Sequence, residues 1–430
     1  MRKLCKILIL SSIILTIFQL ISCEKLTEDY NMPTFKNPIK IGVVGDVSIG
    51  REVVENVFFA TKMAADEINA SGGLIINGEE REIELIFKNS DGDPETGNEV
   101  VSELIKEGAK IIVGPTTSTV AVEMAETCIA NDILMITNSA TIPDLSYVND
   151  KNLIWRTCPS DAFSGTIMAM YATDSLEFES GAILIRDDNF GHSMAQIIEE
   201  KFESLGGEIV AKSSYPTAGE LSNYNYGSEI NVLLEEEPEI IFLIVFEEEI
   251  GKITQDLWYS SLYQDADKKP NLFLTEGGFY NELITNGQPD ILETIIGISS
   301  SITNTPNYMT YKNNYLSKFS FSPVTYSEHA YDAIYLLALA TQKAQSIDPN
   351  EIKQNLRSVS GCIDNQECTH INVDEFASAR VLLQSGFKIN YEGASGKIDF
   401  DTNGDPNSTF VIWGLDDNEY VEYSYYNQYK

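Results

Sequence analysis

The chain has 430 residues, of which 43% are hydrophobic, which is enough for more than one domain with substantial cores. Its formal net charge is -36, from 65 acidic against 29 basic side chains. That balance, with no recurring basic stretch, excludes nucleic acid as a partner, because phosphate binding needs clustered Lys and Arg. Acidic runs such as "LLEEEPE" (233–239) and "EEE" (247–249) are expected to be solvated faces.

In chain order the first feature is a targeting segment. "MRKLCK" is positively charged, "ILILSSIILTIFQLI" is a long apolar run, and "LISC" (20–23) precedes the polar "EKLTED". This layout reads as a signal peptide over residues 1–22. "LISC" resembles the bacterial lipobox, which implies that Cys23 is diacylated and becomes the mature N-terminus. A retained membrane anchor and a secreted soluble chain are the alternatives. No later run reaches the ~20 apolar residues needed to cross a bilayer. The expectation is a soluble body in the cell envelope, outside the cytoplasm, held by lipid at Cys23 through a tether over 23–37. Export permits disulfides. Cys362 and Cys368, in "GCIDNQEC", are close enough in sequence to be stapled; Cys128 and Cys158 are either paired or merely buried. His192, His329 and His370 are scattered without ligand spacing, so no metal site is expected.

From residue 39 strands and helices alternate. "IKIGVV" is an apolar strand, and "VENVFFATKMAADEINASGG" has helical periodicity that stops at a glycine pair. "EIELIFKNS", "GNEVVSELIKEG", "AKIIVG", "TVAVEMAETCIAND" and "ILMITNS" continue the pattern. The alternation restarts with "SGAILIRDD" and "HSMAQIIEEKFESLGG" and runs through "EIIFLIVF" and "NLFLTEGG". A strong helix follows in "YSEHAYDAIYLLALATQKAQS". Two such runs predict an α/β protein with two lobes, each with a parallel sheet covered by helices on both faces.

The strand–loop–helix at "IKIGVVGDVSIG" (39–50) invites a nucleotide-binding interpretation. Its glycines, Gly42, Gly45 and Gly50, lack the G-x-G-x-x-G spacing that lets backbone amides reach a pyrophosphate. Asp46 and Glu52 in the same loop would repel phosphate, and no P-loop lysine follows.

The ordered series "IKIGVVGDVS…FFATKMAADEINASGG", "NSDGDPETG", "IIVGPTTST", "ILMITNSATIPDLS", "WRTCPSDAFSG", "DDNFGHSM", "EPEIIFLIVF", "LTEGG", "EHAYDAIYLLALA" and "INYEGASGKIDFDTNGD" resembles the type I periplasmic solute-binding proteins, in particular the leucine/isoleucine/valine receptors of ABC transporters. The resemblance spans nearly the whole chain after the tether. It implies two doubly wound α/β lobes joined by a three-strand hinge, with one lobe from 38–158 and 304–408 and the other from 159–303 and 409–430. It also implies a monomeric receptor without cofactor or catalysis, whose partners are a small ligand and an ABC permease. A sensor of the same fold, coupled to signalling, is the first alternative; an envelope enzyme is the second.

Candidate ligand contacts follow from strand ends, where open α/β sheets bind ligands. "GPTTST" ends a strand and starts a helix, so Thr117, Ser118 and unpaired amides meet there, and such a helix start favours an anion. Plain helix capping would use the same residue types. The resemblance aligns Ser118 with a serine that grips the ligand α-carboxylate, and Ser139 and Thr141 with carboxylate and ammonium contacts. Glu276 aligns with an acid that pairs with the α-ammonium, Phe190 and Phe246 with covering aromatics, and Tyr326 with a side-chain pocket residue. The first loop lacks the aromatic that closes the pocket in leucine binders, and Thr116 and Thr117 are polar, so the resemblance leaves the side-chain preference open. "DFDTNGD" (399–405) begins like a calcium loop, but its twelfth position is Phe410 where Glu is required. A hairpin turn between "GKIDF" and "STFVIWG" is expected instead.

Overall fold

The computed structural model describes residues 37–47, 50–217, 221–265, 269–276, 281–300, 305–362, 367–417 and 419–427. The expected signal segment, Cys23 and nearly all of the tether lie outside the described residues. No helix among the described residues is long and apolar enough to cross a membrane.

The first sheet is built in chain order by β1 (Ile39–Gly45), α1 (Arg51–Ala70), β2 (Ile83–Asn89), α2 (Pro94–Glu107), β3 (Ile111–Val113), α3 (Ser118–Ala130), β4 (Leu134–Thr137) and β5 (Ile154–Arg156). Its strands are ordered β2-β1-β3-β4-β5 and all run parallel. Local chemistry explains the boundaries. Asp93 accepts the Thr96 amide at 2.8 Å, Pro94 occupies the first helical position, and Gly108 ends α2 in the left-handed region. Gly114, just past β3, has φ +101, and a Cβ there would lie 2.1 Å from the Val44 carbonyl. Only glycine lets the β3 exit pass this close to β1, and that approach sets Thr116 and Thr117 beside the end of β1.

The second sheet takes α4 (Asp161–Met170), β6 (Ser180–Arg186), α5 (Asn189–Ser204), β7 (Glu208–Tyr215), α6 (Gly227–Leu234), β8 (Ile240–Leu243), α7 (Glu247–Tyr259), β9 (Asn271–Leu274) and β10 (Ile295–Ser299). The chain then returns to the first sheet as α8 (Pro306–Phe319) and α9 (Ser327–Ala344). It closes on the second sheet with β11 (Thr409–Asp416) and β12 (Glu419–Asn427). The order is β12-β11-β10-β9-β8-β6-β7, parallel except that β11 runs antiparallel to both neighbours.

Each sheet is packed on both faces, as a doubly wound fold requires. On one face of the first sheet Val43, Val113 and Ile136 pack with α1 and with Tyr331, Ile334 and Leu337 of α9. On the other, Val44, Ile112 and Met135 pack with α2 and α3. The second sheet buries Leu184, Leu243 and Leu274 on one face and Ile183, Phe242 and Phe273 on the other. Residues 327–342 of α9 are buried throughout, the state of a helix enclosed on all sides. The chain therefore passes between the sheets three times: after Arg156, after Ser299 and before Thr409.

Two of these passages are bolted together. Arg156, 1% exposed, donates from Nε to Asp405 Oδ1 at 2.6 Å and from Nη1 to the Ile142 carbonyl at 2.8 Å, and its Nη2 meets the Ser146 hydroxyl. Ser146 also donates to Asp405 Oδ2 at 2.6 Å. Burial works against the guanidinium's charge, and Asp405, helped by Cys158 and Asp161, more than restores it, so the pKa of Arg156 ends above its ordinary value.

The turn expected at 399–405 is present but is not a hairpin between strands of one sheet. The Asn403 and Asp405 amides donate to Asp401 Oδ1 at 2.7 and 3.0 Å, and a single bridge joins Phe400 and Pro406. The flanking segments belong to different sheets, because this turn carries the chain from one lobe to the other. Cys362 and Cys368 are joined by a disulfide, with Cα atoms 6.1 Å apart. Cys128 and Cys158 are buried free thiols, which closes the pairing left open by sequence; burial pushes the Cys128 thiol up to about 12.

Candidate ligand-binding cleft

The cleft lies where the carboxyl ends of both sets of strands face each other. From the first sheet, Asp46 follows β1, Thr116 and Thr117 follow β3, and Asn138, Ser139 and Thr141 follow β4. From the second, Phe190 opens α5 after β6, Phe246 follows β8, and Glu276 follows β9.

Hydrogen bonds tie the first set into one network. The hydroxyls of Thr116 and Thr117 donate to Asp46 Oδ2 at 3.0 and 2.7 Å. Thr117 is the N-cap residue of α3, yet its side chain makes no capping bond. Its commitment to Asp46 leaves the first amides of α3 without a side-chain cap. Ser118, half-buried at the start of that helix, makes no side-chain hydrogen bond to a described residue. Ser139 donates to the Thr116 carbonyl at 2.9 Å, and the Asn138 amide donates to the Tyr326 carbonyl at 3.4 Å.

Tyr326 crosses to the other lobe. Its hydroxyl donates to Glu276 Oε2 at 2.6 Å. Its backbone sits at φ +69, a left-handed conformation that costs a bulky residue about 1–3 kcal/mol. The bonds to Asn138 and Glu276 hold it there, and the strained turn aims the ring into the gap between lobes. Behind it, His329 is buried, with Nδ1 2.8 Å from the Thr157 carbonyl. A carbonyl only accepts, so Nδ1 carries the proton; burial holds the ring neutral, with its pKa down to about 4.

Three carboxyls share this region. Thr141 donates to Asp161 Oδ2 at 2.7 Å, so the Thr141 oxygen presents lone pairs elsewhere, as an ammonium would need. Burial pushes Asp161 up to about 7 against the Thr141 bond, and the nearby charge of Glu276 adds to the rise. Burial also raises Glu276, against the Tyr326 hydroxyl and the Ser300 hydroxyl and amide. Asp46 is raised for the same reason, against the Thr117 and Thr116 hydroxyls and the Thr117 and Gly92 amides.

A pH test follows from Asp161. The folded protein binds this proton more tightly than an unfolded chain, whose aspartates titrate near 3.8. Its contribution to stability is therefore complete below pH 4 and is lost as pH rises toward 7, at up to about 1.4 kcal/mol per pH unit. In urea titrations, Asp161→Asn should gain on the wild type across that window. A stability gap that stays constant from pH 4 to 8 would contradict the shift.

On the second lobe, Phe190 and Phe246 stack with centroids 5.2 Å apart. The Arg186 guanidinium lies 4.7 Å over the Phe246 ring and is paired with Asp188 at 2.7 Å and with buried Glu249. Helix α5, which carries Phe190, packs against α3, which starts at Ser118.

The structure thus brings Thr117, Ser139, Tyr326 and Glu276 into one bonded network and places Thr141 beside it through Asp161. It brings Phe190 and Phe246 together on one wall. Ser118 is placed only by its helix, with no direct bond to the others. Sequence reasoning missed Asp46, Asn138 and Asp161 as parts of the cleft. Asp46 had a usable signal, because a charged residue directly after an apolar strand of a doubly wound sheet lies at the ligand edge.

Two lobes of this topology, facing each other across a polar gap, define a ligand-binding receptor of the type I periplasmic binding protein fold. The family model for the receptor family ligand binding region matches residues 57–418, and the chain belongs to that family. The chain is 24% identical over 373 residues to the chemotactic signal transduction system substrate-binding protein BasB of Halobacterium salinarum, covering 83% of this chain and 81% of that one. It is 22% identical over 378 residues to Leu/Ile/Val-binding protein homolog 2 of Brucella abortus, covering 87% and 89%. In structure it is similar to the branched-chain amino acid transporter substrate-binding protein LivJ of Streptococcus pneumoniae, solved with isoleucine. The TM-score is 0.70 at 19% identity, over 91% of this chain and 99% of that one.

Proposed function

We propose that this protein is a non-enzymatic, lipid-anchored receptor of the cell envelope that captures an amino acid by cleft closure and delivers it to an ABC permease. The observation that carries this reading is the Tyr326–Glu276 bond, which sets a half-buried carboxylate of one lobe against the hydroxyl-rich strand ends of the other. In this reading the first amides of α3, with Ser118 and Ser139, hold the α-carboxylate. Glu276 and the acceptor face of Thr141 hold the α-ammonium, and Phe190 and Phe246 cover the ligand. Tyr326 and Thr117 fix the walls. Burying either charge of a zwitterion unpaired costs several kcal/mol, so paired sites select for amino acids. A ligand touching both lobes shifts the population toward the closed form. The lobes hinge at the three passages, near residues 158, 303 and 408, and the protein works as a monomer.

The similarity to BasB supports a second reading, in which the same capture feeds a signalling partner instead of a permease. Co-purification from membranes with a permease or with a receptor kinase separates the two. Thermal shift against the common amino acids tests capture itself: a ligand at 100 times its Kd adds about 2.7 kcal/mol of stability. No shift with any of them would reject the reading. For the anchor, Cys23→Ser should move the protein from the membrane to the soluble fraction; retention on membranes would reject lipidation at Cys23.

A further inference from the structure

Hydrogen bonding in the cleft is short of donors. Asp46 Oδ1, Asn138 Oδ1, Glu276 Oε1 and His329 Nε2 are buried and reach no hydrogen-bond partner among the described residues. Asn138 Oδ1 and His329 Nε2 are acceptors, and so are the carboxyl oxygens of Asp46 and Glu276 when ionised. Asp46 and Glu276 offer carboxyl oxygens, the Asn138 amide nitrogen is already turned to Tyr326, and the His329 proton sits on Nδ1. Among the described residues no lysine or arginine pairs with Asp46, which is 0% exposed. Arg156 is taken by Asp405, and Arg186 by Asp188 and Glu249.

An α-ammonium alone does not meet this demand. Held by Glu276 and Thr141, it answers the end of β9 and the segment after β4. Asp46 follows β1, which is separated from β4 by β3, so two strand spacings of about 4.8 Å each intervene. One nitrogen cannot serve both places, but a side chain of three or four methylenes ending in a second cation can.

We infer that the cleft takes a dibasic α-amino acid, whose side-chain ammonium or guanidinium docks on Asp46 at the end of β1. This rests on the amino-acid receptor reading above. Such a ligand replaces the aromatic wall of an aliphatic pocket with a buried charge pair. The Thr116 and Thr117 hydroxyls donate to Asp46 Oδ2, and no hydrogen bond of ordinary geometry from a described residue reaches Oδ1, which leaves it for the ligand. A buried carboxylate that meets no cation among the described residues disfavours a leucine-like side chain, which would leave it unanswered.

The test is calorimetric titration of the detergent-solubilised full chain with L-lysine, L-ornithine, L-arginine, L-norleucine and L-leucine at pH 7.5. Norleucine keeps the length of lysine without the terminal ammonium. At least one basic ligand should bind tenfold or more tighter than norleucine, about 1.4 kcal/mol. Asp46→Asn should weaken that basic ligand at least fivefold more than it weakens norleucine. Leucine or norleucine binding as tightly as all three basic ligands overturns the inference and leaves the receptor reading standing. A folded Asp46→Asn variant that keeps the full basic preference also overturns it. Failure of every amino acid to bind overturns the receptor reading and this inference together. If Asp46→Asn does not fold, the wild-type comparison of lysine with norleucine decides alone.

Discussion

Replacing Arg156 with methionine should lower the unfolding free energy by about 3–5 kcal/mol at pH 7, the scale of a buried ion pair broken from one side. The side chain is 1% exposed, and Asp405 beside it is 6% exposed, so neither charge can turn to water. Methionine fills much of the space but leaves Asp405 charged and deprives the Ile142 carbonyl of its donor. Adding Asp405→Asn should recover part of the loss, because it removes the stranded charge. Urea denaturation of the two single variants and the double variant gives the coupling directly. A loss under about 1 kcal/mol for Arg156→Met would mean that the pair contributes little. The same experiment probes function, since this pair joins the β5 exit to the turn before β11, two of the three passages between lobes. A loosened joint should weaken ligand binding as well as stability.

Glu276→Gln should weaken amino-acid binding by about 2–3 kcal/mol, the scale of a hydrogen bond to a charged group. The substitution keeps size and shape, and the glutamine carbonyl can still accept the Tyr326 hydroxyl. What it removes is the charge facing the ammonium. Calorimetry on the ligand that gives the largest thermal shift is the measurement, and unchanged affinity would remove Glu276 from the site. The wild type should show a pH signature that the variant lacks. Burial raises the Glu276 pKa, so a growing share of the protein is protonated there as pH falls. An ammonium binds the ionised form, so affinity should drop on acidification, with proton release on binding in that range.

The alternation of strands and helices was legible in the sequence because its causes are local. Apolar runs such as 39–45 and 240–243 are short, and helix ends carry their own caps, as at Asp93–Pro94 and Gly108. The strand-end residues 116–118, 139, 141 and 276 were legible as an edge for the same reason, since the chemistry of a doubly wound sheet concentrates there. Sequence left Cys128 and Cys158 open, because pairing depends on distance in space. It read the 399–405 turn as a hairpin because two β-like segments flank a turn-forming run. The segments join different sheets, and nothing local distinguishes the two cases. Asp161 was invisible because an aspartate near a helix start normally caps it, whereas here it takes the Thr141 hydroxyl at 2.7 Å.

By itself, then, the sequence determined the α/β class, the two runs of alternation and the row of hydroxyls and carboxyls at strand ends, all of which depend on neighbours a few residues apart. Tertiary structure alone decided that Tyr326 meets Glu276 across 50 residues and that Arg156 meets Asp405 across 249. It also decided that Asp46 is buried without a cation among the described residues. A buried charge finds its partner only when segments distant in the chain are packed together, and the side chain left unanswered is then the one that asks for a ligand.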